Sequence, residues 1–155
     1  MIQDIGGHRL INHFMAKKPS AESLILVCQD TRFLARLSVK AREELSGRLV
    51  AGELQLPKLR DLGNDPDALD LVYLLSVDDK DLFLARTGKK LEVLGFRWEQ
   101  LRDLRMASPR WLAFAAATGA QLAEWYRCNR FCGVCGHPTE IVPTSREIAC
   151  PACGN

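Results

Sequence analysis

Phe131-Cys132-Gly133-Val134-Cys135-Gly136-His137 and Cys150-Pro151-Ala152-Cys153-Gly154, with fourteen residues between the two cysteine pairs, decide how the C-terminal end of this 155-residue chain folds. Each C-x-x-C sets two sulfurs on one side of a tight turn. The glycine after the second cysteine lets the backbone take a positive φ, so that N–H groups point at the sulfurs. Two such knuckles brought together make the tetrahedral four-sulfur cage that Zn²⁺ prefers. Ile141-Val142-Pro143 and Arg146-Glu147-Ile148-Ala149, between the knuckles, have the composition of the two short strands of a ribbon. The expected metal site is Cys132, Cys135, Cys150 and Cys153 around one structural Zn²⁺; iron in the same cage, or an oxidised pair, are the alternatives. Four protein ligands leave no open position for water, so the ion serves to fold a segment too small for a core of its own.

The side chains nearest the knuckles are read more plainly. Cys128, four residues before Cys132, falls on the last turn of a helix as a bystander thiol, with a spare-ligand role as the alternative. His137 reads as a histidine at the surface or beside the ligands, with replacement of a cysteine ligand as the alternative. Arg127, Arg130 and Arg146 offer positive charge to a dianionic cage or to RNA phosphates, or are ordinary solvated charge. His8 and His13 have no partner pattern, and no catalytic residue is named. The chain has six cysteines, five of them from Cys128 onward and Cys28 alone in an apolar run. Met1 to Arg9 does not have the form of a secretory signal, so the clustering favours metal over disulfides and a reducing, cytoplasmic location.

Working outward toward the N-terminus, Ser108-Pro109 offers a helix start, serine at the N-cap and proline at the first helical position. Trp111, Leu112, Ala115, Leu122, Trp125 and Tyr126 support a helix over 109–127, a packed linker or, alternatively, a partner-binding helix. Gly119 weakens its middle by roughly 1 kcal/mol. Before it, Trp98, Leu101, Leu104 and Arg105 recur at three- and four-residue steps and predict a short helix from Phe96. Leu24 to Cys28, Gln29-Asp30-Thr31 and Arg32 to Leu37 read as strand, turn, strand. A second hairpin runs from Leu69 to Val77, turns over Asp78-Asp79-Lys80-Asp81 and returns through Leu82 to Ala85. Gly63-Asn64-Asp65-Pro66-Asp67 is a loop between the hairpins. The expected fold class is α+β: a small sheet-rich domain over 1–105, a linker helix over 106–130 and a zinc ribbon over 131–155.

The apolar fraction is 47% and the charged fraction 26%, ordinary for a globular chain with a core of real size. No stretch has the ~18 apolar residues of a membrane span. The formal net charge is +2, and four thiolates holding Zn²⁺ would bring it to about 0. That is not the footprint of a dedicated nucleic-acid binder. No Ser/His/Asp, P-loop or G-x-G-x-x-G constellation appears.

Gln121-Leu122-Ala123-Glu124-Trp125-Tyr126-Arg127-Cys128-Asn129-Arg130-Phe131-Cys132-Gly133-Val134-Cys135-Gly136 resembles the junction at which Nudix-type NADH pyrophosphatases pass from an alanine-rich helix into a four-cysteine zinc ribbon. Phe96-Arg97-Trp98-Glu99-Gln100-Leu101-Arg102 is similar to that family's approach to the helix. The resemblance covers about 96–155 and implies an N-terminal Nudix-like accessory domain, the ribbon, and a catalytic Nudix domain after it. Members hydrolyse NAD(H) to a nicotinamide mononucleotide and AMP with Mg²⁺ or Mn²⁺ held on glutamates. Some act on NAD-capped RNA, and many are homodimers. The catalytic signature G-x5-E-x7-R-E-x-x-E-E is absent here. Arg42-Glu43-Glu44 begins like one, but Ser46 and Gly47 stand where the metal-binding glutamates should follow.

The expectation is therefore a non-catalytic N-terminal and ribbon portion of such an enzyme, inactive alone. It would act as a structural, substrate-positioning or dimerisation module toward a catalytic domain lying outside this sequence. Its partners would be that domain, a second copy, NAD(H) through the whole enzyme, and RNA in some settings. The alternative is a stand-alone zinc-ribbon module that binds nucleic acid or protein.

Overall fold

A computed structural model describes residues 4–38, 52–63, 69–88 and 90–155. The Arg42-Glu43-Glu44 stretch, and Asn64 to Asp67 of the loop, lie outside the described residues. In chain order the strands are β1 (Leu10–Ile11), β2 (Leu24–Leu26), β3 (Cys28–Gln29), β4 (Arg32–Ser38), β5 (Glu53–Gln55), β6 (Asp70–Val77), β7 (Lys80–Arg86) and β8 (Arg97–Gln100). A single α-helix among the described residues, α1 (Arg110–Cys128), then leads into β9 (Glu140–Ile141) and β10 (Ile148–Ala149). The class is α+β, as expected.

One sheet has the order β1-β6-β7-β2, with β2 parallel to β7 and the other pairs antiparallel. The second is built on β4, which pairs β3 and β5 along one edge and β8 along the other. Val27 joins the two: its carbonyl accepts the N–H of Leu34 at 3.0 Å, while Ile25 donates to the carbonyl of Pro57 at 2.8 Å. The apolar run Leu24–Cys28, read above as one hairpin strand, is thus divided between two sheets.

The reason for its continuous apolarity is burial on both faces. Leu26, Leu82 and Leu84 pack toward α1 in one cluster, while Ile25, Val27, Phe83 and Ala85 pack into a second on the opposite side. A strand covered on both sides has no solvent face to mark with polar residues. In the β6–β7 hairpin the turn is shorter than expected, Asp78 and Asp79 alone, with Val77 facing Lys80. A register shift between Tyr73 and Leu75 leaves Leu74 as the extra residue of a bulge.

Two helical expectations are corrected. Residues 97–100 are strand β8, hydrogen-bonded to Arg32 through Ala35, and the following Leu101–Met106 is a 3-10 helix. Here a strand end running into a tight helix brings Trp98, Leu101 and Leu104 to three-residue spacing. Ser108 does not cap α1. Its N–H donates to the Gly52 carbonyl at 2.9 Å and its own carbonyl accepts from Leu54, so it lies extended against β5. Pro109 occupies the N-cap, and no side chain caps the helix.

α1 lies across β2, β6 and β7 through Leu112, Ala113, Ala115, Ala116 and Gly119. A Cβ at Gly119 would stand 2.7 Å from Leu26 Cδ2 and 3.0 Å from Leu74 Cδ1. The glycine that costs helix propensity is the point of closest approach between helix and sheet.

Candidate metal centre

The end of α1 delivers the chain to the first knuckle. Asn129 closes the helix, its N–H and its side-chain amide both donating to the Trp125 carbonyl at 3.1 and 2.7 Å. The two knuckles that follow repeat one hydrogen-bond pattern. Gly136 donates to the Cys132 carbonyl and Gly154 to the Cys150 carbonyl, each at 2.9 Å. Cys132 donates to the His137 carbonyl at 2.8 Å and Cys150 to the Asn155 carbonyl at 2.7 Å. Gly136 and Gly154 take φ of 75° and 74°, the left-handed conformation that other residues adopt at a steric cost. The antiparallel pair β9–β10 spans the space between, with Ile141 opposite Ile148.

This brings the sulfurs of Cys132, Cys135, Cys150 and Cys153 to within 4.8 Å of one another. Cys132 and Cys153 Sγ are 3.6 Å apart, and Cys135 and Cys150 Sγ 3.4 Å. A tetrahedron with Zn–S bonds of about 2.3 Å has S–S edges of about 3.8 Å, whereas a disulfide bond is about 2.05 Å. The separations fit four ligands of one ion, and all four cysteines are free. Cys132 and Cys150 are buried; Cys135 and Cys153 face solvent.

Backbone donors surround the sulfurs. Val134 N lies 3.4 Å from Cys132 Sγ. The N–H groups of Cys135 and Val134 hold the Cys132 thiol down at about 6. The N–H of His137 acts the same way on Cys135, but the neighbouring Cys150 sulfur and burial outweigh it and push that thiol up to about 12. Four sulfurs this close cannot all ionise together without a cation among them. A divalent ion removes the conflict, and the donor set of four thiolates with N–H···S support suits Zn²⁺.

The residues around the cage have partners of their own. Arg127 pairs with Glu124, Nη2–Oε1 2.5 Å and Nε–Oε2 2.7 Å. Arg130 lies over the Phe131 ring at 5.8 Å. Arg146 reaches away from the cage, to the Asn12 carbonyl and Oδ1 at 3.1 Å each and to the Leu74 carbonyl. Cys128 stands outside the sulfur cluster, donating to Glu124 Oε1 at 3.2 Å. His137 contributes its backbone and is exposed. Cys28 is half-buried in the sheet domain, and the desolvation pushes its thiol up to about 12.

Sequence reasoning missed the docking residues, Arg146 and Tyr126. Ile141 and Ile148 pack against the same core as α1, and Tyr126 is buried on that side of the helix. Spacing alone carried no signal for contacts that join positions 72 and 134 residues apart. No helix among the described residues is long and apolar enough to cross a membrane.

Fold and site together define a zinc-ribbon protein in which a helix fixes a four-cysteine knuckle pair to an α+β domain. Residues 127–155 match the family described as the NADH pyrophosphatase zinc ribbon domain. The chain is 31% identical over 77 residues to the NAD-capped RNA hydrolase NudC of Pseudomonas fluorescens Pf-5, covering 50% of this chain and 28% of the relative. It is 48% identical over 58 residues to the protein of that name from Pectobacterium carotovorum, 33% of this chain and 22% of the relative. A third such relative, from Salmonella paratyphi B, is 47% identical over 38 residues, 24% and 15% of the two chains. The matched stretches thus span less than a third of these relatives' lengths.

Proposed function

We propose that this chain is the accessory and zinc-ribbon portion of an NAD(H) pyrophosphatase, with one structural Zn²⁺ on Cys132, Cys135, Cys150 and Cys153. The observation that carries the reading is the knuckle pair itself: four free sulfurs at ion-binding separations within a segment matching the NADH pyrophosphatase ribbon. The similar proteins are named as hydrolases of NAD-capped RNA. The ion supplies fold, not chemistry, because four thiolates fill a tetrahedral shell. The chain's own contribution is positional. The knuckles fix the ribbon hairpin, Arg146 ties the hairpin to β6, and α1 carries both on the sheet.

Hydrolysis of NADH to NMNH and AMP, or of NAD caps on RNA, belongs in this reading to a Nudix domain holding Mg²⁺ or Mn²⁺ on glutamates, in a homodimer in the cytoplasm. The present residues would brace that domain, position its substrate or join two copies.

The test has two parts. Elemental analysis of protein purified without chelator is expected to give one zinc per chain, lost in Cys150→Ser; absence of stoichiometric metal removes the ribbon. Incubating these 155 residues with NADH and Mg²⁺ or Mn²⁺ is expected to release no AMP, and measurable turnover would overturn the accessory role.

A further inference from the structure

The four sulfurs of the cage are of two kinds by position. Cys132 is 6% exposed and Cys150 1%, while Cys135 and Cys153 are open to solvent. The division does not follow the knuckles, because each C-x-x-C holds one cysteine of each kind. Across the knuckles the kinds are matched. Solvent-facing Cys153 has its sulfur 3.6 Å from that of buried Cys132, and solvent-facing Cys135 lies 3.4 Å from buried Cys150. The two pairs are nested: Cys135 and Cys150 flank β9 and β10, and Cys132 and Cys153 lie outside them.

A small oxidant finds a thiolate by access, and the product depends on whether a second sulfur stands beside the first. Cys128 is exposed but donates to Glu124 and lies outside the sulfur cluster. Cys28 is half-buried in the sheet domain. Among the described residues, the cage is where an accessible sulfur has another next to it.

We propose that Cys135 and Cys153 are oxidation sites for hydroperoxides, and that the products are the cross-knuckle disulfides Cys135–Cys150 and Cys132–Cys153. The inference rests on the reading of the four cysteines as a zinc site and adds a second, metal-free way of closing the ribbon. The chemistry balances within each pair. The exposed thiolate attacks one oxygen of hydrogen peroxide, the O–O bond breaks, and the sulfur becomes a sulfenic acid as hydroxide leaves. The buried thiolate attacks that sulfur, forms the S–S bond and expels a second hydroxide. Two electrons pass from the two sulfurs to the peroxide, and two protons from solvent turn both hydroxides into water. Because the second sulfur is already in place, the sulfenic acid is consumed before further peroxide oxidises it.

With both pairs formed, no thiolate remains to hold a cation. Disulfides inside each C-x-x-C would leave the two knuckles unconnected, whereas the cross-knuckle bonds join them and restrict opening of the hairpin between. Arg146 lies within both closed loops, so the oxidised hairpin keeps its hold on Asn12 and Leu74.

The test titrates zinc-loaded, full-length protein with hydrogen peroxide, follows release with a chromophoric zinc indicator, and alkylates the remaining thiols in denaturant. Release of the bound zinc is expected to take about two peroxides per chain, one for each pair. Trypsin cuts after Arg130 and Arg146 and so separates the knuckles into peptides 131–146 and 147–155. Without reduction these should appear as one linked species, with fragmentation assigning Cys132 to Cys153 and Cys135 to Cys150. Cys28 and Cys128 should be recovered alkylated. Hydrogen exchange at the Cys132 and Cys150 amides should be at least about tenfold slower in oxidised protein than in protein stripped by a chelator, since the cross-links limit opening. Dithiothreitol with added zinc should restore the original zinc content. Disulfides confined within each knuckle, recovery mainly as sulfinic or sulfonic acids, or zinc retained in millimolar peroxide would overturn this proposal alone. Absence of zinc before any peroxide is added would overturn the ribbon reading with it.

Discussion

Arg146 decides how the ribbon is held. Its guanidinium spans the Asn12 side chain, the Asn12 carbonyl and the Leu74 carbonyl at the β6 bulge. Leu74 is the extra residue of the β6 bulge and Asn12 directly follows β1, so the arginine ties the hairpin to two strands of the same sheet. Arg146→Ala should cost about 1.5–3 kcal/mol, the range for hydrogen bonds to a charged group, read as a lower urea midpoint for the zinc-loaded protein. Arg146→Lys should recover less than half of that, since a single ammonium cannot reach three acceptors with one fork. Equal stability of Arg146→Ala and the parent would show that the ribbon is held by Ile141 and Ile148 alone.

A second residue-level consequence concerns Cys128. Its thiol donates to Glu124, and that hydrogen bond, with burial and the carboxylate charge, raises its pKa above the ordinary value, while Arg127 pulls the other way. The shift is upward, so the thiolate fraction at pH 8 falls below that of a free cysteine, and alkylation should be slow. Glu124→Gln removes the carboxylate and frees Arg127, both of which lower the thiol pKa. Iodoacetamide labelling of Cys128, followed by peptide mass spectrometry on zinc-loaded protein, should therefore quicken in this variant. An unchanged or slower rate would refute the account.

At the scale of elements, the parts that could be read from sequence are those whose cause is local. Each knuckle carries its own turn, glycine and ligands, so Cys132, Cys135, Cys150 and Cys153 were identifiable without knowing anything else in the chain. The β6–β7 hairpin was likewise legible from two apolar runs flanking Asp78 to Asp81, although the turn itself is the shorter Asp78-Asp79. Residues 97–100 were not, because a strand whose partner is β4, more than sixty positions earlier, leaves no local mark, and its junction with a 3-10 helix mimics helical spacing. The division of Leu24–Cys28 between sheets was hidden for the same reason: both sheets ask for the same apolar residues.

Gly119 shows how one local symptom can have a distant cause. Read in isolation it weakens α1; in the fold it admits Leu26, Leu74 and Leu82 against the helix backbone. Gly119→Ala gains roughly 1 kcal/mol of helix propensity and must displace the Leu26 methyl, so the two effects largely offset. Gly119→Val has no such compensation and should destabilise by about 1–3 kcal/mol through overpacking. Chemical denaturation of both variants checks this. A Val variant as stable as the Ala variant would mean that the helix can lift from the sheet without loss.

For the whole molecule, the question is whether ribbon and sheet domain stand or fall together. The sheet domain and α1 enclose two apolar clusters containing Phe33, Leu74, Phe83 and Ala116. Within 131–155 the residues buried to that degree are Cys132 and Cys150, both ligands. The ribbon has no core besides its ion, so the free energy of metal binding is its folding free energy. Removing zinc with a strong chelator at neutral pH should unfold it while leaving the sheet domain folded. Acid should do the same, because ligand thiolates are protonated as pH falls. In hydrogen exchange, the amides of Cys132, Gly136, Cys150 and Gly154 should lose protection, and those of Leu74 and Phe83 should keep it. Four newly titratable thiols should appear at the same time, and Trp125 fluorescence should shift as Ile141 and Ile148 leave the face beside Tyr126. If instead every amide loses protection in one step, the ribbon is part of the main core and α1 needs it to stay on the sheet.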